Sequence, residues 1–128
     1  MDSAHRYLEI DRRDDLCCVR LRIRRLDEEQ LTAMTDELFA LIKEEGCRKL
    51  ALCLGPEPPQ FLYSVFLARL VAVQRVLREH DGSLVLCELR PEVFRIFEAC
   101  RLDTQFQFAP NLEEGCAVLR GITAKPGA

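Results

Sequence analysis

Histidines, the side chains used most often as a catalytic acid or base, are few in this sequence, and they are far apart. The two histidines are His5, near the amino terminus, and His80, in a polar turn. An enzyme needs a nucleophile beside a base, a metal cluster or a phosphate-binding loop. The six glycines are spread singly, which disfavours a glycine-rich nucleotide loop. We therefore expect no enzymatic activity and no cofactor.

Seven cysteines offer a second kind of chemistry. Their number is odd and no pair has C-x-x-C spacing, which disfavours a disulfide framework. Adjacent Cys17 and Cys18 would point to opposite faces of a strand, which argues against a shared metal. Most of the thiols are therefore predicted to be buried as small hydrophobes in a reducing compartment. Those in apolar strand or helix patterns are Cys17, Cys53, Cys87, Cys100 and Cys116.

The stretch PPQFLYSVFLARL, residues 58–70, has no charge in its first eleven positions. Its double proline cannot extend a strand or a helix, so it connects the preceding strand to a predicted helix over about 62–79. The apolar residues of this helix cannot all face the core, since residues one turn apart share a face. We expect an inward set of Val65, Leu67, Ala68, Val71, Ala72 and Val76. We expect an exposed apolar patch, a candidate interaction site, of Leu62, Tyr63 and Phe66.

The amino-terminal segment predicts a hairpin, with two alternating runs joined by a charged turn at residues 13–15. A simple register sets Glu9 beside Arg20 and Asp11 beside Cys18. Opposite charges across a solvated face explain the row of arginines in the second strand better than an anion site does.

The following elements alternate between helices and strands. Asp27 and Gln30 form a capping box for an amphipathic helix that ends at Gly46. KLALCL and SLVLCEL are predicted buried strands, and Pro91 opens another helix. A short FQF strand and a last helix with the capping pattern Asn111-x-x-Glu114 follow. The order ββαβαβαβα predicts an α/β fold with a mixed sheet of about five strands in one domain, residues 1–128.

Composition limits the partners. The net charge of −3 and the pI near 5.5 make nucleic acid an unlikely ligand. The amino terminus lacks an apolar signal region, and the hydrophobic runs are interrupted by charges. We expect a cytoplasmic protein without membrane insertion. A homodimer is an option that the sequence leaves open.

Three patterns together resemble the STAS domain, the fold of anti-sigma factor antagonists and of the cytoplasmic tails of sulfate transporters. They are RLD at 25–27, LALCLGPEPPQFLYSVFLARL at 50–70 and LVLCELRPEVFRIFEACRL at 84–102. The resemblance covers roughly residues 7 to 120 and implies a partly parallel sheet. It also implies a protein partner, an anti-sigma factor or a related kinase.

In that family the turn before the second helix carries an Asp-Ser-Ser/Thr-Gly motif, whose second hydroxyl is phosphorylated by the partner kinase. The motif falls on Tyr63-Ser64-Val65-Phe66, so the phosphoacceptor position is Val65 and only Ser64 survives. Asp27 matches an acidic residue that the family keeps near this site. Arg24 and Arg101 stand where the family has glycines.

The leading hypothesis is a non-enzymatic module of a bacterial cytoplasm that binds its partner without the usual phosphoswitch. The predicted contact surface comprises Leu62, Tyr63, Ser64, Phe66 and the loop 55–60, and Arg69 would set specificity by charge. One alternative moves phosphorylation to Ser64. Another is a thiol or small-ligand sensor that uses Cys17/Cys18 or Cys47 as exposed thiols.

Overall fold

After an opening hairpin, helices and strands alternate along the chain in the predicted order ββαβαβαβα. The computed structural model describes residues 8–13, 15–21, 28–54 and 64–123. The strands are β1 (Leu8–Arg13), β2 (Leu16–Leu21), β3 (Lys49–Cys53), β4 (Ser83–Cys87) and β5 (Gln107–Ala109). The helices are α1 (Glu28–Lys43), α2 (Ser64–Glu79), α3 (Pro91–Ala99) and α4 (Leu112–Thr123).

The strands form one mixed sheet with the spatial order β1-β2-β3-β4-β5. β1 pairs antiparallel with β2, and the other neighbours are parallel. The predicted hairpin register is confirmed, with Glu9 opposite Arg20 and Asp11 opposite Cys18. The hairpin therefore supplies the antiparallel edge, and the helical crossovers supply the parallel part.

The two faces of the sheet are covered unequally. One core cluster joins α1, α2 and α3 to the sheet, with Leu38, Phe66 and Phe97 among its buried members. On the other face a smaller cluster packs Cys116 and Leu119 of α4 against the strands. Adjacent Cys17 and Cys18 fall in different clusters, as predicted for neighbours in a strand.

The expectation that the polar face of the hairpin is solvated is wrong for β2. Leu16 and Cys18 lie on the same face as Arg20, and they are 1% and 3% exposed because α4 packs over them. Apolar residues in those two positions are what a covered face requires. For β1 the prediction of a solvated face is confirmed, since Glu9 and Asp11 are exposed.

The predicted helix ends are largely confirmed. α1 is followed by Gly46 in a left-handed conformation at φ 77°, a geometry that glycine adopts without strain. At the start of α4, the Asn111 side chain accepts a hydrogen bond from the backbone N–H of Glu114 at 2.9 Å. β5 begins one residue later than predicted, because Phe106 turns into the core and stacks edge-on against Phe97 at 5.7 Å.

α3 ends in a Schellman motif without a glycine. The N–H of Leu102 bonds to the carbonyl of Phe97, and that of Arg101 to the carbonyl of Glu98. Arg101 is left-handed, with φ 61°. This is the position where the resemblance placed a family glycine, and a side chain with a Cβ is strained in that conformation.

Replacing Arg101 by glycine should therefore stabilise the protein, by about 0.5–1 kcal/mol in the free energy of unfolding. Urea denaturation followed by circular dichroism would measure the change. Arg95→Gly is the matched control, because Arg95 is exposed in the middle of α3, where glycine should cost about 1 kcal/mol. Equal losses in both variants would contradict the left-handed assignment.

Candidate functional site

The first half of α2 is the candidate site, and its packing fixes which side chains face outward. The buried stripe recurs every three or four residues, as expected for one helix face. It consists of Phe66, Leu67, Leu70, Val73 and Leu77. The prediction that Phe66 belongs to an exposed patch is wrong, because its side chain is 0% exposed within the core.

Val65 lies on the opposite side of the helix from the buried stripe and is 43% exposed, the one large hydrophobic side chain so exposed among the described residues. Its expected inward packing is also wrong, as is that of Ala68, which is exposed. Leu67 is buried as predicted, and Val71 and Val76 pack partly against the core. Sequence reasoning thus found the right helix but assigned Val65, Phe66 and Ala68 to the wrong faces.

Arg69 follows Val65 by four residues and shares its face of the helix. Its guanidinium donates a hydrogen bond to the Thr32 hydroxyl of α1 at 3.2 Å. Next to this contact, α1 presents an open depression with an acidic rim. Its lining residues are Glu28, Glu29, Thr32, Ala33 and Asp36. The exposed surface of α2 is therefore continuous with an acidic surface of α1.

Several predicted site residues lie outside the described residues: Asp27, Leu62, Tyr63, Arg24 and the loop 55–60. Ser64 is the first residue of α2, and the first turn of that helix carries no acidic side chain. The next position, Val65, has no hydroxyl group. The alignment of Val65 with the phosphoacceptor of the family stays a prediction.

A second polar feature lies at the carboxyl ends of β2 and β4, and sequence reasoning missed it. The Arg20 guanidinium donates hydrogen bonds to both Glu88 oxygens, at 2.8 and 3.4 Å. This contact raises the pKa of Arg20 above its ordinary value. Glu88 is held at φ 59°, and its N–H bonds to the Ala109 carbonyl. No local pattern around Glu88 signals a partner 68 residues away.

The prediction that Cys17/Cys18 or Cys47 are exposed thiols is wrong. Cys17, Cys18 and Cys47 are all buried, at 4%, 3% and 2% exposure. Cys100, predicted to continue the buried stripe of α3, is instead exposed, because α3 ends at Ala99. The prediction of burial is confirmed for Cys17, Cys53, Cys87 and Cys116.

Six of the seven cysteines form three thiol pairs. Cys18 and Cys116 approach to 3.4 Å between their sulfurs. A hydrogen bond joins Cys17 to Cys47; it lowers the pKa of Cys17 and raises that of Cys47. The third pair is Cys53 and Cys87, also hydrogen-bonded. In the parts of the chain that the structure describes, no group of three or more metal-ligating side chains is placed to hold an ion.

Comparison with known proteins shows to which protein family the chain belongs. Residues 7–115 match the STAS domain family, so the chain belongs to that family, and the resemblance found in the sequence is confirmed. The protein BtrV of Bordetella bronchiseptica, described as an anti-sigma factor antagonist, is 32% identical over 111 residues. That alignment covers 87% of this chain and 89% of BtrV.

Two solved structures illustrate the shared fold. A STAS domain protein from Planctomyces limnophilus superposes with a TM-score of 0.75 at 17% identity, covering 88% of this chain and 97% of that one. The Bacillus cell fate determinant SpoIIAA, in its phosphorylated form, gives 0.66 at 16% identity, with 87% and 98% covered. The mixed five-stranded sheet with four helices is thus the STAS architecture. No described helix is long and apolar enough to cross a membrane.

The two neighbouring residues Val65 and Phe66 should differ sharply on truncation. Phe66→Ala should lower the free energy of unfolding by about 3–5 kcal/mol, because it leaves a cavity in the core. Val65→Ala should change it by no more than about 0.5 kcal/mol, because nearly half of the side chain is already in water. Chemical denaturation of both variants measures this difference. Similar losses would contradict the assigned faces of α2.

Proposed function

We propose that this STAS domain is a non-enzymatic interaction module that acts as an anti-sigma factor antagonist. Its partner is an anti-sigma factor or a related kinase, bound through the exposed face of the first half of α2. The relative BtrV, which is described by the same activity and aligned along most of both chains, supports the kind of partner. The loop 55–60 with Leu62 and Tyr63 precedes that face in the sequence and extends the proposed contact.

The exposure of Val65 is the observation that carries this proposal. Val65 keeps 43% of its surface in water, so a partner that covers this side chain stabilises the complex by burying apolar surface. Ala68 is exposed on the same face, so a partner can approach the helix closely. Phe66 contributes indirectly, since its burial fixes the rotation of α2 about its axis.

Control of binding differs in this proposal from the phosphoswitch of the family. A phosphoryl group would bring nearly two negative charges to the start of α2 and disrupt an apolar contact. Valine at position 65 cannot accept that group. Binding is therefore set by the amounts of the two proteins, and Arg69 selects partners by charge.

Capture from a lysate of the native organism tests the surface, with the wild-type chain compared with Val65→Asp. The wild type should retain an anti-sigma factor. The variant should retain at most about one tenth of that amount. Folding should survive, because an acidic residue in the first turn complements the helix dipole and α2 has none there. Thermal unfolding of both proteins checks this.

Ala117→Asp is the matched control, since Ala117 is exposed on α4, across the sheet from α2. It adds the same charge and should leave capture unchanged. Equal capture by all three proteins would contradict the assigned surface. Capture of proteins unrelated to sigma-factor regulation would contradict the assigned partner.

Val65→Thr tests whether the lost hydroxyl is what removes the switch. Threonine has nearly the shape of valine and supplies an acceptor oxygen. With the captured kinase and ATP, the variant should gain one phosphate and then release the partner, whereas the wild type should do neither. Intact-mass spectrometry and repeated capture measure the two effects. Phosphorylation of the wild type at any site of the α2 start would contradict the proposal.

The alternative phosphosite at Ser64 is favoured by one observation. Ser64 begins α2, and a phosphate at a helix amino terminus is stabilised by the dipole and the free N–H groups. Mass spectrometry of protein from its native host, grown in rich medium, under starvation and under stress, decides the point. An unmodified Ser64 in every condition excludes it.

A further inference from the structure

Cys53 and Cys87 occupy equivalent places at the carboxyl ends of the two central strands. They are the last residues of β3 and β4 and are direct partners in the parallel register. Both face α4, in the same core cluster as Cys18 and Cys116. They are 1% and 0% exposed.

This register places the two cysteines at a separation that a disulfide can span. Neighbouring strands lie about 4.8 Å apart, and disulfides join Cα atoms about 4.4–6.8 Å apart. The two thiols interact, and Cys87 is the main cause of the lowered pKa of Cys53. Forming the bond requires the two sulfurs to approach to about 2.05 Å.

The environment activates one of the two thiols. Cys53 lines an open groove between β1 and the start of α4, together with Cys18 and Arg20. Cys87 lowers the pKa of Cys53, with a smaller effect of the Arg20 charge in the same direction, and these outweigh burial and the Glu88 charge, which raise it. Burial instead raises the pKa of Cys18 to about 12. Cys53 is therefore the groove thiol with the larger thiolate fraction, which is the nucleophilic form.

We propose that Cys53 and Cys87 are a modification site for small hydroperoxides, which convert the pair into a reversible disulfide. The Cys53 thiolate attacks one peroxide oxygen and the O–O bond breaks. With hydrogen peroxide, Cys53 becomes a sulfenic acid, and the departing hydroxide takes up a proton as water.

The second step joins the two strands. The Cys87 sulfur attacks the sulfenic sulfur, the S–O bond breaks, and the hydroxyl leaves with the Cys87 proton as a second water. In total, two thiols lose two electrons and two protons, and the peroxide is reduced to two waters. Bulky oxidants are excluded, because Cys53 presents almost no surface to solvent within the groove.

Peptide mapping of the wild-type chain tests the site directly. The protein is treated with hydrogen peroxide, blocked with iodoacetamide and digested with trypsin. The sequence places Cys53 in peptide 50–69 and Cys87 in peptide 79–95. A crosslink between these peptides that dithiothreitol reverses is expected, with Cys53 lost at least about tenfold faster than Cys18. Peroxide treatment that oxidises Cys100 and leaves this pair reduced would overturn the proposal.

Two alanine variants separate the chemistry from packing. Cys87→Ala removes the resolving thiol and also the main cause of the lowered pKa of Cys53, so Cys53 should be oxidised more slowly and stop at a sulfenic acid that dimedone labels. Cys116→Ala removes a similar buried thiol from the same cluster and should leave the crosslink intact. A Cys100→Ser background prevents crosslinking between chains through the exposed thiol. Loss of the crosslink in both alanine variants, or a crosslink from Cys18 to Cys116 instead, contradicts the assignment.

Discussion

Burial of the central strands from both sides is the constraint on which the rest of the structure depends. β3 and β4 have four consecutive buried residues each, so they need a cover on both faces. Of the helices that the structure describes, three cover one face and α4 covers the other. Small residues suit the α4 side: cysteines end both strands, and a Cβ on Gly115 would lie 2.5 Å from the Cys87 sulfur. The contact between Cys18 and Cys116 follows from this close approach of helix to sheet.

The same constraint determines the candidate site. α2 must turn Phe66, Leu70 and Leu77 toward the sheet, and this leaves Val65 on the outside. Arg69 then donates a hydrogen bond to Thr32 of α1. Core packing therefore determines which face of α2 points outward. The chemistry of that face depends on residues such as Val65 and Arg69, which do not pack in the core.

The sequence predicted the architecture well because its periodicities are strong. Alternation in the hairpin, continuous apolar runs in β3 and β4, and capping residues such as Asn111 are local signals, and the element order limits the topology. The faces of α2 were not predictable in the same way, since nearly every residue near its start is apolar. The Arg20–Glu88 pair and the cysteine pairs depend on contacts between segments that are far apart in the chain, and such contacts leave no pattern in a single sequence.

The position of α4 in the chain has a consequence for biosynthesis. All five described strands precede α4, so the residues of the sheet are synthesised before the helix that covers its second face. Cys18, Cys53 and Cys87 lie on that face. Docking of α4 is therefore the folding step that takes these central thiols out of reach of chaperones, oxidants and other nascent chains.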